Sequence, residues 1–89
     1  MLYADKIKMK YGCYYSNSLA EISQIHIKNT GWYYKEDVHD YLKVNPHTIQ
    51  VDHYPYPFLK PDVSYLGEKY VRSEANGTVV DNLLSLPRE

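Results

Sequence analysis

Four histidines and one cysteine are the residues of this 89-residue chain best suited to bind a metal or move a proton: His26, His39, His47, His53 and Cys13. A zinc site needs three or four converging N or S ligands, and a strand or a single helical turn supplies convergence through HxH, HxxxH or CxxC spacing. None of those spacings occurs, so no metal site is expected. His47-Thr48 and Asp52-His53 hold the residue types for acid–base work, because a carboxylate beside a histidine raises its pKa. Adjacent residues on a strand point to opposite faces, however, which separates Asp52 from His53. Cys13, between Gly12 and Tyr14, has no legible base or oxyanion donor to activate it. With no Gly-rich phosphate loop, Ser-centred nucleophile turn or paired carboxylate motif, neither a catalytic residue nor a cofactor is expected.

Two other groups of residues bear on binding. Lys6, Lys8 and Lys10 precede Tyr11, Tyr14 and Tyr15, a combination that offers cations to phosphates and rings to unstacked bases. The same lysines also suit the wet face of an edge strand, where they discourage edge-to-edge aggregation. Tyr54, Tyr56 and Phe58 stand among Pro55, Pro57 and Pro61 and make an aromatic, proline-rich segment suited to a protein partner. Ten Lys and Arg against eleven Asp and Glu leave a formal charge of −1, which removes the global attraction that most polyanion binders use. Eleven Tyr, one Trp and one Phe are also what a small sheet needs to bury area while hydroxyls stay wet.

The elements that must position these residues follow from hydrophobic period. From Tyr3 to Tyr11 the chain alternates, with Tyr3, Ile7, Met9 and Tyr11 on one side and Ala4, Lys6, Lys8 and Lys10 on the other; Asp5 is the misfit. Residues Gly12 to Ser18 read as a loop, and Glu21 to Lys28 as a second strand that forms a hairpin with the first. Ile22 lies on the opposite parity from Ile25, so the strand begins after it or a bulge shifts the register there. After the turn signal Asn29-Thr30-Gly31, Tyr34, Val38, Tyr41 and Leu42 gather on one helical stripe. Glu36 and Asp37 at its start, Lys43 at its end and Asn45-Pro46 beyond match the helix dipole and supply the stop. Thr48 to Tyr54 alternates as a third strand, and the prolines after it exclude a central strand. Val63 to Leu66 and Lys69 to Ser73 flank Gly67 as a second hairpin.

Beyond Asn76-Gly77, Val79, Val80, Leu83, Leu84 and Leu86 are too apolar to stay in water, so the tail is expected to fold back on the core. Asp81 should cap a short helical turn there. Arg72, beside Tyr70 in the preceding strand, is expected to act structurally by holding the tail through Asp81 or tail carbonyls.

The run Tyr70-Val71-Arg72-Ser73, then Asn76-Gly77-Thr78, then Asp81-Asn82-Leu83 and Leu86-Pro87 resembles the closing signature of a family of short bacterial and phage-borne proteins, domain of unknown function 3892. The resemblance implies an opening strand pair, a short helix that starts on a small hydroxyl residue, a second strand pair and the tail. Tyr34 stands where Ser or Thr would start that helix, and Leu84-Ser85 departs from the usual tail. The resemblance carries no catalytic or ligand-binding residue over to this chain.

The expectation is therefore one α+β domain, residues 1–89, with a small antiparallel sheet of four or five strands, either open or barrel-like, packed on one short helix and the folded-back tail. No apolar run approaches the roughly 20 residues of a membrane-spanning helix, and a lone cysteine suits the reducing cytoplasm. The function expected is non-catalytic: a module that binds another protein or itself through Tyr54, Tyr56 and Phe58, with single-stranded nucleic-acid binding as the alternative.

Overall fold

A computed structural model of the chain describes residues 1–74 and 81–89. The expected Asn76-Gly77 turn and the apolar Val79 and Val80 lie outside the described residues. Strand β1 (Leu2–Met9) lies inside a four-stranded sheet, between β2 (Ile22–Ile27) and β4 (Ile49–Val51), with β3 (Gly31–Tyr34) beyond β2. The class is α+β; β1 pairs antiparallel to β2 and parallel to β4, so this sheet is mixed, and no closed barrel forms among the described residues.

Asp5, the misfit in the alternation, is where the register of β1 against β2 shifts. That shift puts Ala4 on the same face as Ile7, and both are wholly buried, so Ala4 belongs to the core and not to the lysine face. Alanine is too small to declare its side by hydrophobicity. Tyr11 lies past the strand, fully exposed. A second shift, between Lys8 and Met9, lets Ile22 and Ile25 both enter the core, so the parity conflict on β2 is a bulge. Lys6 and Lys8 lie on the wet face of a central strand, not at an edge.

Helix α1 (Lys35–Val44) follows β3 directly. Its buried residues are Lys35, Val38, His39 and Leu42, at i, i+3, i+4 and i+7, which rotates the stripe away from the expected one. Tyr41 and Tyr34 are left exposed as a result. Tyr34 is the N-cap residue and makes no side-chain cap, as expected where a phenol replaces a small hydroxyl.

The second hairpin, β5 (Leu59–Val63) with β6 (Lys69–Ser73), is a separate two-stranded sheet packed on α1. It begins earlier than the residue pattern suggests, taking Pro61 into β5, and Gly67 holds its turn at φ +85°. The tail folds back: Leu83, Leu84 and Leu86 are buried with Ile7, Ile25, Leu42, Leu59 and Val71. Asp81 caps a 3-10 turn, Asn82–Ser85, by accepting from the Leu83 N–H at 2.9 Å, and it accepts the Ser73 N–H at 3.1 Å as well. Arg72 instead reaches Asp62 across the hairpin at 3.5 Å. Arg88, in the tail itself, fastens it to the 14–16 loop: its guanidinium donates to the carbonyls of Tyr14 and Ser16 and, within the tail, of Leu84. No helix among the described residues is long and apolar enough to cross a membrane.

Candidate interaction site at the sheet edges

The chemistry-bearing residues do not assemble into one pocket. His26 meets Asp5 at 2.6 Å, His39 meets Asp40 at 3.0 Å and His47 meets Glu74 at 2.8 Å, three separate pairs. Among the described residues no group of three or more His, Cys, Asp or Glu is placed to hold a metal. The Cys13 thiol donates to Glu21 at 3.0 Å, and that bond, with some desolvation, raises the thiol pKa and keeps it protonated.

The most buried ionic group was not singled out by sequence reasoning. Lys35 begins α1, only 1 % exposed, with its ammonium bonded to the Ala20 carbonyl and to Glu68 at 2.9 Å. A cation at the positive end of a helix is unfavourable, and Glu68 offsets it. Lys10 pairs with the same carboxylate, so the bonds from Lys10 and Lys35 hold the Glu68 pKa below the ordinary range. This cluster joins the end of β1, the start of α1 and the turn of the second hairpin.

The residues proposed for nucleic acid are largely engaged within the chain. Lys6 pairs with Glu89, Lys10 with Glu68, and the Lys8 ammonium lies 4.9 Å from the centre of the Trp32 ring. Tyr14 packs edge-on against Tyr15 and donates to the Arg88 carbonyl, while Tyr11 and Tyr15 stay in solvent.

Tyr54, Tyr56 and Phe58 belong to a segment that closes one edge of the sheet. Gln50 on β4 bridges to Phe58, the Val51 N–H donates to the Pro57 carbonyl at 2.9 Å, and the Gln50 side chain donates to the Tyr56 carbonyl. The Phe58 carbonyl accepts from Glu74 on the other side, and buried Asn82 holds the carbonyls of His53 and Tyr54. Phe58 packs on His47, whereas the Tyr54 and Tyr56 rings remain exposed and edge-on to one another. Farther along, the tail takes over as cover: the Ile7 N–H donates to Pro87, and the Ile7 carbonyl accepts from Glu89.

The opposite edge, β3, is different. Nothing among the described residues pairs with its outer side. The Lys28 N–H turns toward β1, so alternation along β2 directs Ile25 and Ile27 at Tyr33 and Gly31. Trp32 therefore points its N–H and C=O outward, followed by the Tyr34 N–H. Gly31-Trp32-Tyr33-Tyr34 contains no charge and no proline. The β5–β6 hairpin, by contrast, is guarded by Lys60, Pro61, Asp62, Lys69 and Arg72. Beside β3, α1 and the inner face of the sheet leave an apolar cleft of about 270 Å³. Ile27, Val38 and Ile49 form buried walls, Tyr33 and Tyr41 lie half-exposed at its mouth, and Asp37 is the carboxylate among the lining residues. Sequence reasoning missed this site, although an uncharged aromatic triplet after a turn signal was its visible mark.

A family model described as protein of unknown function (DUF3892) matches residues 6–87. The likeness thus extends over nearly the whole chain and not the C-terminal third alone. No curated protein and no solved structure matches.

Proposed function

The chain belongs to this family of unknown function, and we propose that it is a non-catalytic protein-interaction module that takes an extended polypeptide segment onto the edge of β3. The observation that carries the reading is the asymmetry of the sheet: its β4 side is closed by the chain itself, and its β3 side is uncharged, aromatic and open among the described residues. Open backbone donors and acceptors recruit strands, and neighbouring pockets select side chains. The cleft is small and lined mainly by apolar and aromatic side chains, which suits a single apolar side chain of a partner. Tyr54, Tyr56 and Phe58, the earlier candidates, serve first as cover for β4. For nucleic acid, the engagement of Lys6, Lys8 and Lys10 weighs against the alternative, and oligonucleotide binding that fades with added salt would restore it.

Tyr34 supplies the test. Its φ of −65° and ψ of 146° are proline's own, so Tyr34→Pro removes the outward N–H at little conformational cost. Peptides selected from a random displayed library on the wild-type chain should bind Tyr34→Ala and fail on Tyr34→Pro. No enrichment, or equal binding to both variants, contradicts the reading.

A further inference from the structure

Resting on that reading, we infer the chemistry of the occupant: an extended segment of a partner protein in which a large apolar residue lies within one or two positions of a Lys or Arg. Tyr33 is paired with the buried Ile25 and so faces the inner side of the sheet. A strand added outside β3 places alternate side chains on that same side, next to the cleft. The cleft offers apolar walls and one exposed carboxylate at its rim, Asp37, for which no ion pair is found among the described residues. Its neighbours Glu36 and Asp40 add negative charge to the exposed side of the same helix, although Asp40 is engaged by Lys69 and His39. An apolar side chain fills such a cleft, and a cation beside it meets Asp37. A partner carrying Asp or Glu at that place is repelled.

A second copy of the chain suits the site less well. A two-fold joint along β3 repeats the same acidic first turn, Glu36 and Asp37, on both sides, and Gly31–Tyr34 brings no cation to separate them. A four-residue strand also offers a short joint against the roughly 1,200 Å² that stable interfaces bury.

The library selection decides between these occupants. The selected peptides should be enriched in Lys or Arg adjacent to Leu, Ile, Phe or Trp. Their affinity should fall about three- to five-fold in Asp37→Asn, as expected for one exposed ion pair, and further in Asp37→Lys. Peptides that require the Tyr34 N–H but show no basic preference and ignore both Asp37 variants would overturn this inference and leave strand addition standing. No selected peptide at all would remove the underlying reading. If light scattering shows a dimer that Tyr34→Pro dissolves, the second copy is the occupant and the peptide assignment is wrong.

Discussion

The two sides of the sheet pose the same physical problem and receive opposite solutions. On the β4 side, the free backbone groups of β4 and of the second half of β1 are met by residues 57–58 and 87–89, so distant parts of the chain are spent on closing an edge. On the β3 side the outer edge of four residues rich in aromatic rings meets no partner among the described residues. A chain this small buries a modest share of its surface, and cover is used where the core needs it. The edge without cover is the one beside the cleft, so exposure coincides with a place to bind.

The largest expected effect breaks the covered side. Leu83, in the tail itself, is wholly buried against the core, and Leu83→Ala should cost about 3 kcal/mol in urea unfolding. A loss under about 1 kcal/mol would mean that the tail does not hold that edge. Next comes the ionic anchor at the start of α1, which sets the wall of the cleft. Glu68→Gln strands the buried Lys35 ammonium and should cost about 2 kcal/mol, less than the roughly 3–5 kcal/mol of a fully enclosed pair because Glu68 is partly wet. The Glu68 pKa is lowered by Lys10 and Lys35 in the fold. Its contribution is therefore complete above the ordinary glutamate value of about 4.3 and is lost as pH falls through the depressed folded value. Wild type should lose stability on acidification more steeply than Glu68→Gln, and parallel pH curves would refute this assignment.

A smaller effect sharpens the contrast. Arg88→Ala removes three bonds to carbonyls of the 14–16 loop and the 3-10 turn, and should cost about 1.5 kcal/mol while speeding amide exchange at Ile7. The smallest concerns the open side: Tyr34→Pro should shift stability by no more than about 0.5 kcal/mol, because the N–H it deletes has no partner among the described residues. A large loss there would show that β3 is not an edge in solution.

Much of this architecture was legible in local pattern. The alternation of Ile25 and Ile27, the conflicting parity of Ile22 and the dipole-matched charges of α1 marked β2, its bulge and the helix. Lysine alternation on β1 misled as to position, since a central strand with one wet face produces the same pattern as an edge strand. The short β3 was hidden because Trp32-Tyr33-Tyr34 is too brief to display a period and runs straight into helix. Arg88 and Lys35 gave no local signal, for their partners Ser16 and Glu68 lie 72 and 33 residues away in the chain. The open edge depends on what fails to pair, and residue types alone do not encode that.

Site-resolved amide hydrogen exchange on the free chain tests the asymmetry most directly. The Trp32 N–H should exchange almost as fast as a loop amide, while the N–H groups of Tyr33, Val51 and Ile7 stay protected, and a selected peptide should slow Trp32 alone among them. Strong protection of Trp32 in the free monomer would contradict the account, because its edge would then already be covered.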